Sequence, residues 1–92
     1  MSLEKLVSKY IASAEHVLGE IEIVAENNMC PSADRVKQVL EAAKAYLQDA
    51  KYYRETERFE VSLASVAYCE GLLDALRMLG TVKFEWPKRN EK

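Results

Sequence analysis

The chain has 92 residues, 49% of them hydrophobic and 30% charged, with three glycines and two prolines. That length suits one domain with a single core, and the composition excludes disorder and favours long helices with few breaks. The net charge of −2 gives no overall positive field, so nucleic acid is not an expected partner, and no run reaches the roughly 18 consecutive apolar residues of a membrane span.

In the first segment Leu3, Val7, Tyr10, Ala14, Val17, Ile21 and Val24 step by three or four, and Leu6, Ile11, Leu18 and Ala25 widen the stripe. The spacing predicts one amphipathic helix over about residues 2–27, capped by Ser2 and ended by Asn27 and Asn28, which tolerate left-handed backbone. Glu4, Lys5 and Lys9 fit a soluble helix better than a signal peptide, so a cytoplasmic location is expected. His16 falls about 140° from the centre of the apolar stripe and is expected to face solvent.

Pro31 forbids continuation, and Ser32 is the expected N-cap of a second helix over 32–55, with Asp34 favourably placed against its dipole. A short connection makes these two helices antiparallel neighbours. The core face runs through Val36, Val39, Leu40, Ala43, Tyr46, Leu47, Ala50 and Tyr53. Roughly opposite lie Gln38, Ala42, Ala45, Asp49 and Tyr52, small residues beside a ring, which would suit a helix-to-helix interface with a second copy or another protein. Alanine's helix propensity explains the same stripe without a partner.

The break from Glu55 to Arg58 contains neither Gly nor Pro, so its placement rests on Thr56 as a cap and on the apolar restart at Phe59. The third helix is expected over 57–79, with Gly80 supplying the left-handed position that closes it. Its apolar arc is broad, as a helix packed on two neighbours requires, and it leaves a spare apolar edge. On its polar side Glu70, Gly71, Asp74 and Arg77 share a surface, where a small polar ligand would be expected to bind. Tyr53 and Arg54 come second, as a ring and a guanidinium able to face a nucleotide. A solvated charge face with an Asp74–Arg77 contact accounts for the first group more simply.

No nucleophile, base and oxyanion donor can be named together, so no catalytic residue and no cofactor are assigned. The absence of Cys-x-x-Cys, a Cys/His cluster or Glu-x-x-His gives a metal site no support. Cys30 falls in the first loop, and Cys69 lies roughly 16 Å lower along the third helix, too far for a disulfide. Cys69 therefore reads as a small buried hydrophobe and Cys30 as a loop thiol.

After Gly80, Val82, Phe84 and Trp86 alternate with Lys83 and Glu85, the period of an extended strap laying one row of side chains on the bundle. Residues 1–87 form the expected domain and 88–92 a flexible tail. The fold class is all-α, an antiparallel three-helix bundle with a short extended C-terminal segment. The functional expectation is a non-enzymatic protein-interaction module that self-associates as a homodimer. The alternative is a small accessory domain that binds a nucleotide or other small polar ligand, or supports a nucleic-acid or nucleotide enzyme.

The run Tyr68-Cys-Glu-Gly-Leu-Leu-Asp-Ala-Leu76, preceded by Tyr46, Leu47, Asp49, Ala50, Tyr52, Tyr53, Arg54 and Glu55 and followed by Leu79 and Gly80, resembles an archaeal family known as domain of unknown function 357. The resemblance covers the second and third helices and the strap, with weaker similarity earlier. It implies a three-helix bundle and an archaeal source, and carries no established activity. Where family members often have a Gly-Asp turn before the third helix, this chain has Glu57 and Arg58.

Overall fold

The computed structural model describes residues 2–87; the expected tail, 88–92, lies outside the described residues. Three helices, α1 (Leu3–Glu20), α2 (Ala33–Glu55) and α3 (Phe59–Met78), are joined by a two-stranded antiparallel ribbon of β1 (Glu22–Ile23) and β2 (Val82–Lys83). The all-α bundle expected from the periodicity is present. Arg54 near the end of α2 reaches Ser8 near the start of α1, and Ser62 near the start of α3 reaches Ala50. The helices therefore run up, down and up.

The core is the meeting of three stripes. Val7, Ile11, Ala14 and Val17 from α1, Val36, Leu40, Ala43, Leu47 and Ala50 from α2, and Val66, Cys69, Leu73 and Leu76 from α3 are all buried. Ala43 and Ala50 are completely buried, and their small side chains let α3 approach α2 closely enough for the buried Ser62 hydroxyl to donate to the Ala50 carbonyl at 2.6 Å. The predicted N-caps are in place: Ser2 Oγ accepts from the Lys5 amide at 3.1 Å, and Ser32 Oγ accepts from Arg35 at 3.3 Å.

The first helix ends at Glu20, not near Asn27. Ile21 leaves it with ψ at 138°, and from there Ile21, Ile23 and Ala25 turn inward while Glu22, Val24 and Glu26 are exposed. The segment thus has period two, and its β-branched Ile21, Ile23 and Val24 favour extension over another helical turn. Pairing completes the case, because β2 arrives from the far end of the chain and satisfies its backbone. Thr81 is the junction. Its hydroxyl donates to the Leu76 carbonyl at 2.8 Å, and its own carbonyl accepts from the amides of Val24 and Ala25 at 3.0 and 3.2 Å.

Helices α2 and α3 end in the same way. After α2, the Glu57 amide donates to Arg54 and the Arg58 amide to Tyr53; after α3, Gly80 donates to Arg77 and Thr81 to Leu76. Both patterns are Schellman caps, which need a left-handed residue after the cap. Gly80 supplies it with φ of 75°, but at the first cap Glu57 holds φ of 63°. Thr56 is the C-cap of α2 and plays no part in starting α3, which has no side-chain cap at Arg58. A side chain at left-handed φ costs about 1 kcal/mol relative to glycine. Glu57→Gly is therefore expected to raise unfolding stability by up to about 1 kcal/mol in urea titrations, and an unchanged or lowered midpoint would show that Glu57 makes compensating interactions.

Candidate functional site

The predicted ligand residues fall into three places. Asp74 is half-buried beneath the strap, where its Oδ1 accepts a 2.7 Å hydrogen bond from the Trp86 indole. Arg77 turns to the same strap, pairing with Glu85 at 3.2 Å and lying 5.4 Å from the centre of the Phe84 ring. Phe84 and Trp86 meet edge-on with centroids 5.2 Å apart. Asp74 and Arg77, three residues apart, thus each hold the strap. The expected row is confirmed: Val82 is buried and Phe84 and Trp86 pack on the core, with Lys83 and Glu85 outside.

Glu70 points elsewhere. It is half-buried and lines a groove between α1 and α3 with Leu6, Tyr10, Leu63, Val66 and Ala67. Gly71 is exposed, and a Cβ there would meet nothing within 4 Å. Among the described residues nothing uses the close approach that glycine permits.

Tyr53 and Arg54 lie in the last turn of α2, beside the start of α3 and about 20 Å from Asp74 at ~1.5 Å per residue. The Arg54 guanidinium donates to Ser8 at 3.3 Å, tying α2 to α1, and Tyr53 lies between the Tyr52 ring and the Arg58 guanidinium, each 5.2 Å away. Tyr53 and Arg54 therefore do not join Glu70 and Asp74 in one site.

On α2, Gln38, Ala42, Ala45, Asp49 and Tyr52 are all exposed. The larger apolar surface belongs to α3, where Val61, Ala64, Tyr68, Gly71, Ala75 and Met78 stand exposed along one side and Leu79 continues the row. Tyr68 is 54% exposed and Met78 83%. The Tyr68 ring is braced by Tyr46, edge-on with centroids 4.4 Å apart. Reading α3 mainly as core hid this row, although its steps of three and four residues were visible in the sequence.

A family model described as a protein of unknown function, DUF357, matches residues 9–82. The chain belongs to the DUF357 family. The match takes in α1 from its seventh residue onward, β1, all of α2 and α3, and the first residue of β2. No curated protein and no solved structure matches the chain.

Of the other groups singled out in the sequence, His16 is exposed and lies 3.3 Å from Glu20, one turn on. Cys30 is exposed and Cys69 buried, with no disulfide between them. Among the described residues no group of three or more His, Cys, Asp or Glu could hold a metal ion, and no helix is long and apolar enough to cross a membrane.

Burial pushes the Cys69 thiol from its ordinary 9.0 up to about 11, and the neighbouring Glu70 carboxylate adds to the shift. Below 9.0 both folded and unfolded thiols are protonated; between there and about 11 only the unfolded chain loses the proton. Stability supplied by the neutral buried thiol is therefore complete below that window and declines as pH rises through it. Urea titrations of the wild type and Cys69→Ala are expected to converge over the window. At neutral pH a maleimide is expected to modify Cys30 and spare Cys69 until denaturant is added. Equal labelling of both thiols in the folded protein would contradict the burial.

Proposed function

We propose that this chain is a non-enzymatic helical interaction module that self-associates through the exposed face of α3. The observation that carries the reading is the row Val61, Ala64, Tyr68, Gly71, Ala75, Met78, which steps by 3, 4, 3, 4 and 3 residues and is exposed throughout. Steps of this kind make the seam of a helix pair, in which each side chain enters a gap on the facing helix.

The row is also self-complementary. When two copies of α3 lie antiparallel about a two-fold axis midway between Cys69 and Glu70, Val61 falls opposite the partner's Met78 and Ala64 opposite the partner's Ala75. Tyr68 falls opposite the partner's Gly71. The large ring meets the one residue with no side chain, and small residues meet each other, as an isologous helix contact requires. Tyr46 already holds the Tyr68 ring, which reduces the entropy lost on docking.

A stripe on a helix about 30 Å long and about 10 Å wide offers roughly 300 Å² on each copy. Stable interfaces bury nearer 800 Å² a side, so the expected affinity is weak, in the micromolar range. Sedimentation velocity over a concentration series is expected to show reversible dimers in the wild type and monomers in Gly71→Gln. The glutamine would stabilise the isolated helix while filling the space meant for the partner's Tyr68. Ala45→Arg on α2 is expected to leave dimerisation intact. A wild type that stays monomeric at high micromolar concentration would refute the reading, and loss of dimers in Ala45→Arg alone would move the interface to α2.

A further inference from the structure

We propose that oxidation of the Met78 thioether to its sulfoxide, by hydrogen peroxide or an organic peroxide, weakens self-association through α3. The inference rests on the α3 reading above and adds its regulation. Met78 closes the row at its C-terminal end and is 83% exposed, the most open of the large hydrophobic side chains among the described residues. In the antiparallel pair it lies opposite the partner's Val61, so one atom is open to oxidant in the single chain and covered in the pair.

The step is a two-electron oxygen transfer. A lone pair on the Met78 sulfur attacks one oxygen of hydrogen peroxide, and the S–O bond forms as the O–O bond breaks. The departing hydroxide takes the proton of the transferred oxygen and leaves as water, so sulfur is oxidised and the peroxide reduced. A flexible apolar side chain becomes a polar one. In the single chain the new oxygen is solvated, but in the pair it would lose water against a valine that has no donor to offer. The contact is isologous, so oxidation of both copies places this penalty at both ends of the seam.

Met78 is the one residue of the row that carries sulfur. Met29 lies off the row in the first loop, is 47% exposed, and its Sδ already accepts from the Glu26 amide at 3.2 Å. Cys69 is buried in the core, whereas Cys30 is an exposed thiol that peroxide also reaches and must be blocked in the test.

Sedimentation velocity before and after mild hydrogen peroxide treatment tests the proposal, with Cys30 first alkylated by a maleimide and sulfoxides located by peptide mass spectrometry. The wild type is expected to form reversible dimers before treatment, and its dissociation constant to rise about tenfold once Met78 is oxidised. Met78→Leu keeps an apolar side chain in the seam and still carries Met1 and Met29, so it is expected to dimerise equally before and after treatment. In the wild type, sulfoxide formation at Met78 is expected to slow as protein concentration rises through the dissociation constant, while the rate at Met29 stays the same. Dimers undiminished by Met78 oxidation, an equal loss of dimers in treated Met78→Leu, or a Met78 rate that ignores concentration while dimers form would overturn the proposal and leave self-association standing. A wild type that is monomeric before treatment would overturn both. The rate measurement needs no variant.

Discussion

Replacing Leu73 by alanine is expected to cost about 2–5 kcal/mol, the range for removing a leucine from a packed core. Leu73 is completely buried on α3 and belongs to the core shared with Val7, Ile11, Ala43 and Leu47 of the two other helices. Helical propensity does not soften the loss, because alanine is only slightly the better helix former. Proteins of this size have only about 0.05–0.15 kcal/mol of stability per residue, so the variant is expected to lose a substantial share of its stability. Its melting midpoint should fall by roughly 8–40 °C, since each kcal/mol moves a domain of this size by about 4–8 °C. Leu79→Ala, at the C-cap of the same helix, is the matched control. Leu79 is 64% exposed, and its truncation should change stability by no more than about 0.5 kcal/mol. Comparable losses in the two variants, read from urea titrations, would show that α3 does not pack as described.

The second large effect is expected at Trp86. Its indole donates to Asp74, its ring meets Phe84, and it fastens the strap whose β2 strand pairs with β1. Trp86→Ala removes half-buried ring area and a hydrogen bond to a carboxylate together, a loss of about 2–3 kcal/mol. Trp86→Phe keeps much of the packing and loses the N–H, so about 1 kcal/mol is expected. Hydrogen exchange localises the effect: the amides of Val24 and Ala25, which donate to Thr81 at the base of the strap, should lose protection in Trp86→Ala before the core amides of α2 do. Unchanged protection there would mean that Trp86 does not secure the ribbon.

The difference between these two sites explains what could be read from the sequence. Leu73 belongs to a long stripe of period 3.6, and such a stripe identifies a helix and its buried face without knowledge of the rest of the chain. The same was true of Val36 to Ala50, and Ser2 and Ser32 announced their helix starts through cap chemistry that acts within three residues. Residues 21–26 were misread because Ile21 and Val24 also fit the helical steps of the preceding stripe. Their true partner, β2, lies some 60 residues away, and a pairing that distant leaves no local mark. The inward and outward alternation from Ile21 to Glu26 was the available signal, but it is only six residues long.

Glu57 was hidden for another reason. The cap geometry demands positive φ there, but the residue is not the glycine that normally reports it. The divergence of Glu70 from Asp74 and Arg77 was hidden for a third reason. Helical spacing put Glu70, Asp74 and Arg77 on one sector correctly, but it could not show that a strap would take Asp74 and Arg77 while Glu70 turned to α1. Gly71 is informative in the opposite sense. The sequence suggested close approach by a backbone, ring or ligand, and the open space at its Cα leaves that approach to a second molecule.

Self-association through α3 is tested most directly by amide spectra of the wild type recorded from dilute to concentrated solution. Concentration-dependent shifts are expected at Val61, Ala64, Tyr68, Gly71, Ala75 and Met78, with none on the outer face of α1 at Glu4, Ala12 and His16. Shifts confined to α1 or to the strap, or spectra that do not change with concentration, would contradict the account.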